Sequence, residues 1–351
     1  MTATTPDSLA AADVADALDG ISLRKIGRLE RLVGPETYRL LRGMVSNPLS
    51  VAGLVIIGFF VLVALAAPAL APVVNARNPY QLPRDGYTPE PKAPGTVWRM
   101  RPPALPFWWQ AVFHTDKWIH IFGTASGQWD IWYGIIWGAR TAFRVGIICT
   151  LSTVLIGIIV GSLAGYYGSF VDTILMRLTE IFIAIPFFMA ALIFAAVITP
   201  IIGRGELPSV IALIAFGWMR YARMIRGDIL SLKERDYVLA ARVIGGKDRR
   251  ILLRHIIPNA IYPTLVIASL EIGQYVLNFA ALSFLGIGTE MGYADWGQIL
   301  SFARNFIPVL GQYWYILVYP GITVVLFVLG WNLLGDAVRD IMDPKMRGRG
   351  A

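Results

Sequence analysis

Long apolar stretches alternate with shorter polar ones along this chain, and six of them stand out: about 49–68, 141–165, 174–202, 207–222, 260–285 and 315–334. An α-helix rises about 1.5 Å per residue, so about 20 apolar residues cross the hydrocarbon core of a bilayer. Each stretch therefore predicts a spanning helix. The fourth is the weakest, being short and interrupted by Gly217. Pro186, inside the third, predicts a kink that opens room at mid-membrane. Ahead of the first, Leu23, Ile26, Leu29 and Val33 recur at helical spacing among arginines, and Gly34-Pro35 breaks the pattern before a second amphipathic piece. Residues 21–47 thus read as cytoplasmic interfacial helices, with Asn47 capping the first span and Pro48 in its first turn.

The intervening segments differ in kind. Residues 1–20 are rich in alanine and aspartate, without the apolar run of a cleavable signal, and predict a disordered tail. The 71–138 segment holds Pro72, Pro79, Pro83, Pro89, Pro91, Pro94, Pro102, Pro103 and Pro106, which argues against long helices there. It also holds Trp98, Trp108, Trp109, Trp118, Trp129, Trp132 and Trp137, too aromatic for a loose linker. An aromatic belt at the outer membrane surface and a docking platform for an external partner both fit this density.

Composition and charge place these elements. The chain is 56% hydrophobic and 15% charged, with a mean hydropathy of +0.59, against about 25% charged residues in soluble domains. Its net charge of +8 is concentrated at span ends: Arg24 to Arg42, ten basic residues from Arg220 to Arg254, and Arg339 with Lys345, Arg347 and Arg349. With a cytoplasmic N-terminus, six crossings put all three clusters on the cytoplasmic side, as the positive-inside rule requires. Clusters at span ends argue against nucleic-acid binding. Cys149 is alone and inside a span, and His114, His120 and His255 are scattered, so neither disulfide framework nor metal site is expected. Gly245-Gly246-Lys247-Asp248 lacks the spacing and hydroxyl of a phosphate loop, and no Gly-x-Ser-x-Gly elbow occurs. The chain itself is expected to hold no cofactor and hydrolyse nothing.

Two constellations remain. In the fifth span Glu271, Gln274 and Asn278 recur at i, i+3 and i+7, one polar stripe on an apolar helix. It reads as the wall of a water-filled path or as interhelical hydrogen bonding. Arg177 and Glu180 read as an ion pair near the start of the third span. The second constellation is the loop around Tyr237-Val-Leu-Ala-Ala-Arg-Val-Ile-Gly245 and His255-Ile-Ile-Pro-Asn259, whose periodicity predicts two short helices broken at Gly245. Ala240 and Ala241 permit close approach to another surface. Ile251, Leu252, Ile256 and Ile257 form an apolar face, Arg250 and Arg254 project together, and Pro258 opens the next span.

This loop resembles the EAA loop of ABC-importer permeases: two alanines, a glycine at 245 and a proline at 258. Gly138-Ala-Arg-Thr-Ala-Phe-Arg-Val-Gly146, Gly161-Ser-Leu-Ala-Gly-Tyr-Tyr-Gly-Ser169, Leu282-Ser-Phe-Leu-Gly-Ile-Gly288 with Trp296-Gly297, and Asn332-Leu-Leu-Gly-Asp-Ala-Val-Arg-Asp340 narrow the resemblance. Together they resemble the C-type subunit of oligopeptide and dipeptide permeases, in the peptide/nickel class, over about 47–344. The resemblance implies an all-α integral membrane protein with six transmembrane helices, of the type I importer (MetI-like) fold. It implies a first span at 48–70, an extracytoplasmic 71–138 segment, a five-helix core at 139–340 and a cytoplasmic 341–351 tail, in a bacterial or archaeal cell membrane with both termini cytoplasmic. A second permease subunit would complete a heterodimer in the lipid bilayer. Two ATPase subunits would bind ATP and Mg, and an extracytoplasmic solute-binding protein would deliver substrate. Ala240, Ala241, Arg242, Gly245, Arg250, Arg254 and Pro258, within a coupling loop at 228–258, would dock the ATPase, while Glu271, Gln274, Asn278 and Pro186 would line the pathway. Peptides lead as substrate, with oligosaccharides or nickel chelates as alternatives and an ion-coupled secondary transporter as the rival of another class. Two departures stand out: Leu239 replaces the motif's glutamate, and Phe279-Ala-Ala precedes Leu282 where many relatives carry a glutamate.

Overall fold

The structure, a computed structural model, describes residues 44–342 apart from 46 and 101. The expectations for residues 1–20, for nearly all of 21–47 and for the tail beyond 342 lie outside the described residues. Within them the protein is helical, and β-pairing is limited to isolated bridges such as Arg84 with Trp129 and Gln81 with Tyr293.

Helix α1, Pro48–Leu70, starts as expected: the Asn47 side chain accepts the Leu49 N–H at 3.0 Å and Pro48 occupies the first turn. A short α2, Trp109–Phe113, interrupts the proline-rich segment. Helix α3 runs over Ile131–Tyr167, beginning at Ile131 rather than 141, because Asp130 caps it by accepting the Tyr133 N–H at 2.9 Å. The third apolar stretch is two helices, α4, Ser169–Ile183, and α5, Phe187–Ile202, meeting at 87°. Pro186 therefore does not kink one helix; it breaks the chain and heads α5. Helix α6, Glu206–Leu232, is followed by α7, Asp236–Val243, and α8, Asp248–Ile251. A π-turn over Leu252–Ile256 leads into α9, Ile257–Phe284. After α10, Trp296–Phe302, and α11, Leu310–Tyr313, the last helix, α12, spans Tyr315–Met342.

Among the described residues, α1, α3, the α8–α9 unit and α12 are each long and apolar enough to cross a membrane, and α4 with α5 makes a fifth, broken crossing. Helix α6 has the length, 27 residues, but Arg220, Arg223, Arg226 and Asp228 in its second half keep it below the apolarity of the others. Packing secures it. Gly157, Gly161 and Gly165 line one face of α3 and let the α6 backbone in: a Cβ built on Gly161 would stand 2.4 Å from the Ala222 carbonyl oxygen. The Gly217 gap is similarly filled, since a Cβ there would meet the Tyr275 hydroxyl of α9 at 2.2 Å. Helix α1 packs on α12 and α3, and α9 on α3, α6 and α12.

The 71–130 segment folds into a cap on the face where α1 ends and α3 begins. Trp98, Trp109, Trp118 and Trp129 are buried in one cluster that joins the cap to α1, α3, α10 and α12, with Trp109 stacked on Trp118 at 4.1 Å. Three more indoles meet the end of α1, whose last carbonyls lack intrahelical donors. Trp108, Trp132 and Trp137 donate to Ala69, Leu70 and Ala71 at 2.8, 3.2 and 2.9 Å.

A polar knot sits at the cap's centre. Asp85 is buried, pairs with the Lys92 ammonium, and accepts the Arg99 and Met100 N–H groups at 2.8 and 2.5 Å. The His120 ring lies between Asp130 at 2.6 Å and Asp85 at 3.2 Å. Burial pushes the Asp85 pKa up, but Lys92, the Met100 N–H, His120 and the Arg99 N–H outweigh it and hold the carboxyl below its ordinary 3.8. A depressed folded pKa contributes stability above the ordinary value and loses it as pH falls through the folded value. Asp85→Asn is therefore expected to cost about 3 kcal/mol at neutral pH, the scale of a broken buried pair. Thermal melting of the purified protein should show the gap from wild type closing below about pH 4.

Candidate functional site

The α6–α9 connection is a rigid bracket. Helix α7 ends in a Schellman motif: Gly245, at φ +83°, donates to the Arg242 carbonyl at 2.9 Å, and Gly246 donates to Ala241, also at 2.9 Å. Both glycines are required, for different reasons. Gly245 has open space around it and is held to glycine by its backbone, whereas a Cβ on Gly246 would lie 2.6 Å from the Ala241 carbonyl oxygen. Val238 is fully buried, in one cluster with Ile225 and Ile229 of α6 and with Ile251 and Ile256. Tyr166, at the end of α3, donates to Asp248 at 2.6 Å and lies 5.7 Å beneath the Arg242 guanidinium, so it ties both short helices to α3.

The expected loop residues divide accordingly. Ile251, Leu252 and Ile256 are buried, and Ala241 and Ile257 pack against the same cluster. Ala240, Arg242, Gly245, Arg250, Arg254 and Pro258 are exposed. Arg254 lies inside the π-turn and Arg250 ahead of it, yet both line one open groove with Lys247 and Arg249. The periodicity of the loop does not single out its tip: Val243 and Ile244 are 87% and 86% exposed, and Leu239, one turn before Val243, is 45% exposed. Leu239 thus extends an apolar knob. Two bare β-branched side chains ahead of a glycine pair were the available signal.

The second site is the polar face of α9. Glu271 pairs across to Arg220 of α6 at 2.5 Å, with the carboxylate side chain 17% exposed and the arginine 68% exposed. Asn278 donates only to the Gln274 carbonyl of its own helix, at 2.8 Å. A cavity of about 880 Å³ lies on one side of the pair, reaching Asn332 and Arg339 of α12. A second, of about 340 Å³, lies on the other side, under the α4–α5 break, where Pro186 and Asn278 line it. Glu271 and Gln274 line both, so the stripe makes an interhelical bond and a cavity wall together. Arg220 lies fifty-one positions from its partner, beyond the reach of helical periodicity. The expected Arg177–Glu180 pair forms at 3.6 Å on the exposed surface of α4.

The family described as binding-protein-dependent transport system inner membrane component matches residues 157–348, from the middle of α3 onward. This chain belongs to that permease family. The N-terminal transmembrane domain of oligopeptide transport permease C matches residues 39–86, across α1 and the start of the cap. The permease is 32% identical to the dipeptide transport system permease protein DppC of Alkalihalophilus pseudofirmus, over 86% of this chain and 88% of that protein. It is 31% identical to the oligopeptide transport system permease protein OppC of Bacillus subtilis, over 86% and 87%. The probable D,D-dipeptide transport system permease protein DdpC of Escherichia coli is 30% identical, over 91% and 94%. Among solved structures, the inward-facing MetNI methionine ABC transporter is 18% identical with a TM-score of 0.48, covering 60% of this chain and 97% of that one. The permease is a multi-pass membrane protein and a transport subunit, not an enzyme, and the secondary-transporter reading falls.

Proposed function

We propose that this permease is the C-type subunit of an ATP-driven peptide importer, and that its α7–α8 bracket is the lever through which a separate ATPase moves the pathway. The observation that carries the reading is the bare knob of Leu239, Val243 and Ile244 on a bracket fixed to α3 and α6. An apolar tip of this kind suits a groove on a partner, and whatever displaces it displaces both helices. ATP and Mg belong to the ATPase subunits, two per complex. A second permease subunit faces Arg220 and the α9 stripe, and an external binding protein delivers substrate on the cap side. The bracket, with its cluster of Arg242, Arg249, Arg250 and Arg254, is assigned to the cytoplasm on the positive-inside rule. Peptides are favoured over oligosaccharides or nickel chelates because the relatives' names specify dipeptide, oligopeptide and D,D-dipeptide transport.

Alternating access requires the bracket to contact the two ATPase states differently. Replacing Gly245 by valine forces a β-branched residue into the left-handed region at a cost of about 1–3 kcal/mol. The complex is expected to insert and to copurify with its ATPase, with peptide uptake and substrate-stimulated ATP hydrolysis both reduced about tenfold or more. Normal rates of both in proteoliposomes would show that the bracket is not the lever.

A further inference from the structure

The Arg220–Glu271 pair is an unusual occupant of a transport path. It lies well inside both helices and is asymmetric, the carboxylate largely covered and the guanidinium largely free. A covered carboxylate stripped of its cation is costly, so Glu271 retains a demand for positive charge whenever Arg220 swings away. Arg220 is long and exposed enough to swing, and it lines the cavities on both sides of the pair. A ligand carrying one positive and one negative end would satisfy both partners at once and leave the region neutral. The stripe beyond the pair gives the scale. Glu271 to Asn278 covers seven residues, about 10 Å along a helix, which matches about three residues of extended peptide at about 3.5 Å each. The Gln274 side chain is exposed there, an amide placed to meet peptide groups.

Resting on the peptide-importer reading above, we infer that Arg220 and Glu271 form a transient binding site for the two charged ends of a short peptide. Glu271 takes the terminal ammonium, Arg220 swings along the smaller cavity toward Asn278, which lines it too, to take the terminal carboxylate, and Gln274 and Asn278 pair with the amides between. The interhelical ion pair is what closes this site when no peptide is present. Arg339, the other cation along the larger cavity, leaves that wall attractive to an incoming carboxylate.

The test uses the complete importer in proteoliposomes, with uptake measured per peptide delivered by the binding protein. Trialanine, N-acetyl-trialanine and trialanine amide are compared. Glu271→Gln is expected to slow free trialanine at least tenfold and the N-acetylated peptide less than twofold. Arg220→Gln should slow free trialanine to a similar degree and spare the amide. Equal slowing of all three peptides by each variant would overturn the site and leave the pair as a tie between α6 and α9. If a variant fails to assemble with the ATPase, the wild-type complex decides: equal rates for free and blocked peptides also overturn the site. A wild-type complex that moves none of the three peptides fails the importer reading itself, and this inference with it.

Discussion

Replacing Val243 and Ile244 together with aspartate is expected to abolish copurification of the ATPase and to cut peptide uptake at least a hundredfold, while leaving the protein inserted. Both side chains are more than four-fifths exposed, so neither contributes to the bundle. Their burial would come entirely from a partner. Hot-spot residues at the centre of an interface cost about 2–4 kcal/mol each when lost, and about 3 kcal/mol is already a hundredfold in affinity. An aspartate at each position adds the cost of desolvating a charge without a counterion. The control is Val238→Asp, which strikes the fully buried anchor of α7 and should destabilise the bracket instead. Retention of the ATPase by the double variant, measured by affinity purification of the tagged permease, would show that docking lies elsewhere.

The second large effect is expected inside the bundle. Gly161→Leu places a branched side chain where even a Cβ would stand 2.4 Å from the Ala222 carbonyl oxygen and 3.0 Å from the Ile225 Cβ. Main-chain atoms of a packed helix cannot step aside, so α3 and α6 must separate, at a cost of about 3 kcal/mol or more. Gly157 and Gly165 make the same approach on either side, and the separation would propagate along the whole contact. Membrane levels and monodispersity in size-exclusion chromatography should both collapse. Gly58→Leu, on α1, has nothing within 4 Å of its Cβ and should be neutral. A well-behaved Gly161→Leu protein would mean that the two helices are not held by this contact.

Much of this architecture is legible in the sequence because hydropathy reports what must avoid water. Helices α1, α9 and α12 begin within a few residues of the expected positions. The failures have particular causes. The apolar run predicts too late a start for α3 because the Trp, Tyr and Gly positions of its first turns dilute it, although Asp130 ahead of Ile131 is a readable cap. At Pro186 the sequence predicts only a kink, since local sequence signals a proline but not how far the flanking helices diverge. Helix α6 is weakly apolar because of the charged residues in its second half, and the glycine ladder on α3 is the sequence feature that marks its packed face. The motif of the loop is legible in the sequence, and the Schellman turn at Gly245 is the helix break that its glycine predicts. Its apolar tip and the Arg220 partner of Glu271 are not legible there, because exposure and long-range pairing are tertiary properties.

The three indoles at the end of α1 have a consequence for mutational tolerance. They grip carbonyl oxygens, which every amino acid supplies, so the clamp is blind to the identity of Ala69 and Leu70 while demanding a ring N–H at Trp108 and Trp132. A saturation scan should therefore find exposed Ala69 permissive and the clamping positions intolerant, whereas Ala71 is constrained by its own burial. Variation at the junction of helix and cap would be tolerated on one side only.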